Sequence, residues 1–481
     1  MLTAPLVMLL KPSGLARTAA AAASLLAFVI AITMTIGVLD GNVYTYRMGS
    51  WPAPYGIELM VDRFSALLLL IVTGASTIAL FAGRRSIDAD IDESRQPLFY
   101  AAWLLALAGL SGIPVSADAF NIFVFMEISS LASYVIIAGG ADRRALPAVF
   151  KYLIMGTIGA TFYLIGIGLI YLMTGTLNLA DMELRINEVA DQKPIIVAAG
   201  FITIGLALKA AVFPLHVWLP NAYTYAPNPV TVFLAACSTK VSLYLLLRFD
   251  FVVLQPNLTD HDTQFTWFLM PLALLATLIA SGVALFEQNI KRLLAYSSIA
   301  QVGYILLGAS FVTLAGLTAS TVHLFNHALA KGALFLAVGC LATQVTGLRL
   351  SDLGGVAKRM PWTAAALVVA GLSLIGIPGT AGFISKWYLI SAALEQGSLG
   401  PALVAVLVIS SLMALVYIWR IVEAIYFAEP AADLSAIREA PLMMLLITWV
   451  AALANFYFGL VPEIPVALAS SAAEALLEHP P

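Results

Sequence analysis

Apolar runs of bilayer-crossing length follow one another along this chain, with only short polar breaks between them. A hydrocarbon core about 30 Å thick takes about 20 consecutive apolar residues as a helix. Of the 481 residues, 61% are hydrophobic and 11% charged, against about 25% charged in soluble domains. The fold class that follows is all-α, a polytopic membrane protein. The predicted spans are a stub at 1–10, a run at 18–39, and then 58–82, 97–115, 119–139, 147–174, 195–219, 227–250, 265–286, 291–313, 315–345, 362–396, 401–428 and 440–462, which makes fourteen. The stub is too short to cross and reads as a shortened first helix, with no cleavable signal peptide evident. Two runs are too long for one straight helix. The first, 315–345, carries charge midway, and the second, 362–396, contains Pro378, Gly379 and Gly382.

The longest polar stretches, about 83–96 and 175–194, are loops. No soluble domain is left to hold redox or nucleotide chemistry, so such chemistry belongs to other chains. No cofactor and no metal site is expected. Net charge is −3, and nothing points to nucleic acid. Cys237 and Cys340 lie in apolar spans without metal-ligand spacing and read as inert structural thiols.

Basic residues orient the chain. Fourteen Lys and Arg fall in loops after odd-numbered spans, Lys11, Lys291 and Arg292 among them, and four fall in loops after even-numbered spans, Arg248 among them. By the positive-inside rule the odd loops face the cytoplasm, which puts both termini outside.

An internal repeat is visible. Ser129–Gly140 (SSLASYVIIAGG) and Ser297–Gly308 (SSIAQVGYILLG) share five of twelve positions at an offset of 168. Each is followed by a long span rich in small residues, then by a span interrupted by proline, at Pro214 and at Pro378. Spans 4–8 and 9–13 make two five-span units, and an odd number of spans inverts the second relative to the first. The expected divisions are 1–96 (the first three spans), 97–250 (first repeat), 265–428 (second repeat) and 429–481 (last span and tail).

Charge inside the spans is the functional signal. Lys151, Lys209, Lys240, Lys331 and Lys386 fall within or at the mouth of apolar runs, and Glu127 is the one acid read as comparably deep. A charge at bilayer depth costs at least about 2.5–3.5 kcal/mol. Six titratable groups in such positions suit a protein that moves protons. Glu127 would protonate, find a cation, or sit at a wet entrance. Lys209 lies five residues before Pro214, which frees backbone groups near it. Pairing it with Glu127 would settle both charges. His216 follows Lys209 by seven residues and shares its side if helicity resumes after Pro214, or it is structural. Lys240 sits among Ser238, Thr239 and Ser242 at mid-depth. His323, His327 and Lys331 follow i, i+4, i+8 and stack along one helix face, about 6 Å of rise apart, beside Asn326. Histidine changes charge near neutral pH, which suits a relay. A zinc site, lacking an evident third ligand, or a satisfied core stripe are the other readings. Lys386 lies just past the Pro378–Gly382 break and repeats the logic of Lys209. Lys151, at a span mouth, is a secondary candidate that could simply snorkel to the surface.

At these residues the chain resembles the proton-translocating, antiporter-like membrane subunits shared by respiratory complex I and Mrp-type cation/proton antiporters, over nearly its whole length. The segments that carry the likeness are LKAAVFPLHVWLPNAY (208–223), NIKRLLAYSSIAQVGYILLG (289–308), HLFNHALAKGALFL (323–336) and GIPGTAGFISKWYL (376–389). YRMGSWPAPYGIELMVDRFSALLLL (46–70) most resembles the Mrp D-subunit branch. The resemblance implies fourteen transmembrane helices in two inverted five-helix repeats with two discontinuous helices. It implies a Glu127–Lys209 pair gating uptake, Lys240 as relay between the halves, and His323, His327 and Lys331 as the central hydrophilic axis. Lys386 is then the terminal site, where some complex I members carry glutamate. Partner membrane subunits, protons and Na+ as the ions, and a bacterial inner membrane follow, with no catalysis by the chain alone. The alternative is a proton-pumping arm of a NADH:quinone oxidoreductase or membrane hydrogenase.

Overall fold

Each predicted span is built mainly of helix. The computed structural model describes residues 1–481 apart from 11–12, 191, 255–260, 346, 431–432 and 478–481; Lys11, counted above among the basic loop residues, lies outside that set. In chain order the helices are α1 (Thr3–Leu9), α2 (Ser13–Leu39), α3 (Arg63–Ala82), α4 (Arg84–Asp90), α5 (Gln96–Val115), α6 (Ala119–Ala138), α7 (Ala145–Thr174), α8 (Leu179–Ile186), α9 (Lys193–Ala210), α10 (Leu219–Tyr225), α11 (Asn228–Arg248), α12 (His261–Leu275), α13 (Ser281–Phe286), α14 (Ile290–Ala309), α15 (Leu314–Ala342), α16 (Pro361–Ile375), α17 (Ala381–Leu394), α18 (Gly400–Tyr426), α19 (Leu442–Leu460) and α20 (Glu463–Leu477). Short π-helical turns extend α11 (Phe249–Leu254) and join α12 to α13 (Ala276–Ala280).

Among the described residues, eleven helical stretches are long and apolar enough to cross a membrane. The other three predicted spans correspond to α1, α14 and the α16–α17 pair. The seven residues of α1 rise only about 10 Å, short of a crossing. They pack against α2 and α5. The centre of the bundle is α11 and α15, 94% and 83% buried over their apolar windows, while α2 and α18 at 22% and 33% turn most of their surface outward.

Short polar side chains set the helix starts. Asp62, Asp118, Asn178, Asn289 and Thr313 each accept a backbone N–H three residues on, at 2.7–3.2 Å, and so cap α3, α6, α8, α14 and α15. Such a cap is worth about 1 kcal/mol.

The repeat is written in the backbone as well as in the sequence. Ahead of α6, Ala119 N–H donates to Leu177 O (2.8 Å) and Leu179 N–H to Ala117 O (2.9 Å). Ahead of α14, Ile290 N–H donates to Leu348 O (2.9 Å) and Leu350 N–H to Gln288 O (2.8 Å). These are the same antiparallel bridge, Asp118 to Asn178 and Asn289 to Arg349, displaced by a constant 171 residues. The serine pairs are 168 apart; the three-residue difference is just under one helical turn and leaves them on nearly the same face. Between the two bridges the chain crosses three times, through α9–α10, α11 and α12–α13, so the bridges sit on opposite membrane faces and the units are inverted.

The two spans that hold Pro214 and Pro378 are both broken. α9 stops at Ala210, Ala211 adopts φ 56°, and helix resumes only at Leu219. α16 stops at Gly376 (φ 90°) and α17 begins at Ala381.

Four expectations change. The 315–345 run is one continuous helix of 29 residues, because its charged side chains find partners on neighbouring helices without unwinding the backbone. The tail beyond the last span carries α20, packed on α15 and α3. Its alanine spacing gives no clear helical signal by itself. Ahead of α3, a hairpin pairs β1 (Tyr44–Arg47) with β2 (Glu58–Val61), Tyr44 opposite Val61, so the predicted span at 58–82 opens as strand. Finally, Arg248 and Lys291, counted as loop residues, are buried in α11 and α14. Arg248 pairs with Asp62 at 2.5 Å, and Lys291 donates to Ala226 O at 2.7 Å.

Candidate functional site: a file of buried titratable side chains

The first cluster is built where α9 ends. Lys209 stands in the last helical turn, where a cation suits the carbonyl end of the helix dipole. The crossing of α7 and α9 is so close that a Cβ on Gly205 would lie 2.5 Å from the Gly159 carbonyl oxygen. Small residues permit that approach. Trp218 holds the end of the break: it is buried, stacks on Tyr152 (4.0 Å, 5°), and donates its indole N–H to Leu208 O at 3.0 Å. Lys209 Nζ then reaches α6, donating to Ser130 Oγ at 2.6 Å and standing 3.7 Å from Glu127 Oε1. The pair is unequal, with Lys209 5% exposed and Glu127 29%. Glu127 is therefore an acid at an opening, and among the described residues the most buried acid is elsewhere: Asp250, 1% exposed and bonded to Thr203 (3.3 Å), which the sequence reading misses because it places the helix end one turn earlier.

From Lys209 a cavity of about 20 Å³ runs between Ser129, Ser130, Ser133, Tyr152, Ser238 and Ser242. That volume accommodates about one water. Ser238 and Ser242 belong to α11. Lys240, two residues from each, points roughly 200° round the helix. It is fully buried, donates to Ala235 O at 2.6 Å, and stands within electrostatic range of His323, His327 and Lys331 on α15.

Along α15 the three residues stack as their spacing requires. The His323 and His327 rings are stacked, 6.2 Å apart and within 9° of parallel. His323 is held at both nitrogens, Nδ1 to Ser385 Oγ (2.8 Å) and Nε2 to Gln301 Oε1 (2.9 Å). His327 has no hydrogen-bond partner among the described residues. Lys331 donates to Leu294 O at 2.8 Å and to Ser297 Oγ, the first serine of the repeated pair on α14. Asn326 donates to Ala381 O at 2.6 Å and ties α15 to the start of α17. Among the described residues no three His, Cys, Asp or Glu side chains form a metal-binding cluster.

The second break receives Lys386. Its ammonium donates to Leu374 O (3.2 Å) and Ile375 O (2.8 Å), the carbonyls left free where α16 stops, and to Ser411 Oγ (3.0 Å). The Tyr304 ring lies 5.1 Å beneath it and 5.4 Å from the His323 ring, so Tyr304 bridges the α15 file to Lys386.

The two secondary candidates fall outside the file. His216 is on the non-helical 211–218 segment, stacked on Phe213 at 5.3 Å; because helicity does not resume before Leu219, the one-face argument linking it to Lys209 does not apply. Lys151 is exposed and lines a recess of about 320 Å³ with Arg144 and Arg292.

Residues 116–414 match the family described as NADH:quinone oxidoreductase/Mrp antiporter, transmembrane. The chain is 42% identical over 426 residues to the N-type subunit of the NADH-quinone oxidoreductase of Desulforudis audaxviator, covering 88% of this chain and 83% of that one. It is 30% identical over 475 residues to the D-type subunit of the Na(+)/H(+) antiporter of Bacillus subtilis, covering 98% and 94%. A chain in the structure of the Mrp complex from Dietzia sp. DQ12-45-1b superposes with a TM-score of 0.90 at 28% identity, covering 99% of this chain and 96% of that one.

Proposed function

Because this chain belongs to the NADH:quinone oxidoreductase/Mrp antiporter transmembrane family, we propose that it is the proton-translocating subunit of a multisubunit Mrp-type antiporter, exchanging protons for Na+ handled together with partner membrane subunits. The observation that carries the reading is the succession of titratable groups inside the bundle, from the Glu127–Lys209 pair through Lys240 and the α15 stripe to Lys386. Titratable groups that interact across a low-dielectric interior shift one another's proton affinity, so binding a proton at one site favours release from the next. Glu127, the most open member, is the gate of uptake; Lys240 relays between the halves; Lys386 is the terminal site facing a neighbouring subunit. The chain sits in a bacterial cytoplasmic membrane with the basic-rich loops inside. The match to the Bacillus subtilis antiporter chain, nearly end to end on both sides, supports this branch.

A second reading has its own support in the 42% identity to the oxidoreductase chain: a proton-pumping arm of a redox-driven complex. Everted vesicles carrying the complete native complex separate the two. Na+ addition that dissipates a preformed pH gradient supports the antiporter; acidification of the lumen on NADH addition, insensitive to Na+, supports the redox arm. Neither response would overturn both.

A further inference from the structure

Among the described residues, one buried amine lies outside the file described above. Lys291 is the second residue of α14 and is 4% exposed. It forms part of the floor of a cavity of about 390 Å³ that opens on the basic-rich face, where the loops before α5, α7, α11, α14 and α16 converge. The charged groups around that cavity are Asp90, Asp142, Arg144, Arg349 and Asp352. Arg144, hydrogen-bonded to Asp142 at 2.8 Å, holds that carboxyl below the usual range, so it stays an anion. Burial instead pushes the Asp90 carboxyl up, so it takes a proton more readily than an exposed acid. Both carboxylates act electrostatically on Lys291.

Inward from Lys291 the path is short. Leu294, whose carbonyl accepts from Lys331 Nζ, follows Lys291 by three residues on the same side of α14. That is about 4.5 Å of rise. The same carbonyl also accepts from Ser298 Oγ at 3.1 Å, so the polar lining continues from the cavity floor to the central axis.

We propose that Lys291 is the group through which the central axis exchanges protons with the aqueous cavity on the basic-rich face. Asp90 collects a proton from solvent, one O–H bond breaking as another forms; Lys291 accepts it on its neutral amine, an O–H bond giving way to an N–H bond; and Lys331, held at the Leu294 carbonyl one turn deeper, receives it on its own neutral amine, one N–H bond replacing another. This rests on the proton-translocation reading. The competing role is structural, since Lys291 also caps the C-terminus of α10 through Ala226 O.

Lys291→Arg separates the two. Arginine keeps the positive charge and a donor for Ala226 O, yet it does not release a proton. In proteoliposomes of the whole complex, assembly checked by co-purification, the proposal expects Lys291→Arg to cut ion-driven proton movement by at least about tenfold, as Lys291→Met does. Transport by Lys291→Arg above half the wild-type rate overturns it. Should Lys291→Arg not assemble, the decision falls to Asp90→Asn at the cavity edge: a rate loss growing towards alkaline pH, where solvent protons are scarce, supports the proposal, and an unchanged pH profile overturns it. Lys209→Ala is measured alongside. If it transports normally, the underlying reading fails; if it is inactive while Lys291→Arg is active, only the present inference fails.

Discussion

Ser238 and Lys240 stand two residues apart on α11 and therefore face opposite ways, the hydroxyl into the polar cavity beside Lys209 and the amine towards α15. This single helix is the wall between the two halves of the file, and it carries a polar group on each side. On the function proposed above, protons that pass from the first repeat to the second would cross here.

Lys240→Met tests that wall. The substitution removes a fully buried amine whose hydrogen bond is to a carbonyl of its own helix. Replacing such a group by an apolar one of similar volume is often neutral or stabilising. The expected result is unchanged or raised thermal stability in detergent, measured by light-scattering Tm, with proton transport reduced about 100-fold or more.

Gly205→Leu is expected to unseat Lys209 without touching it. Its Cβ would already lie 2.5 Å from Gly159 O, and the further carbons have no room. Overpacking of this kind costs about 1–3 kcal/mol. The complex should show a lowered Tm and lose most transport, whereas Gly200→Leu on the same helix, with open space around its Cβ, should keep both.

At the second break Gly376→Ala combines two penalties. Gly376 has φ 90°, which an L side chain rarely adopts, and its Cβ would meet Lys386 Cδ at 2.7 Å. The left-handed conformation alone costs about 1–2 kcal/mol. Because the contact is with a flexible side chain, the fold should survive while Lys386 leaves the Leu374 and Ile375 carbonyls. The check is a normal yield of assembled complex with transport lowered as in Lys386→Ala.

Asp62→Ala tests stability apart from transport. The Asp62–Arg248 pair closes at 2.5 Å with side chains 16% and 10% exposed. Removing one partner of a buried pair costs about 3–5 kcal/mol because the other charge is left alone. Reduced assembly with a near-normal rate per assembled complex is the expected outcome, since neither residue belongs to the file.

Most of this architecture is legible in the sequence because bilayer-length apolar runs leave few options. Pro214 and Pro378 mark both breaks, and the i, i+4, i+8 spacing of His323, His327 and Lys331 marks the stripe. The parts that escape depend on tertiary contact. Lys291 and Arg248 sit at span ends, where sequence alone assigns a basic residue to solvent, and only the approach of Ala226 and Asp62 explains their burial. His216 does not join Lys209 because the length of a break after proline is set by packing, here by Trp218 on Tyr152. α20 escapes because its small, mildly polar residues gain a reason to be helical only from the α3 and α15 surfaces they cover.

The central claim is that the two halves form one path, and paired single substitutions in a reconstituted complex test it most directly. Ion-driven proton movement is measured for Lys209→Ala in the first repeat and Lys331→Met in the second, each with assembly verified. One continuous path predicts that either change stops transport almost completely and that the double variant is no worse. If each single variant instead keeps about half the wild-type rate and only the double variant is silent, the halves conduct separately, and the continuous path is contradicted.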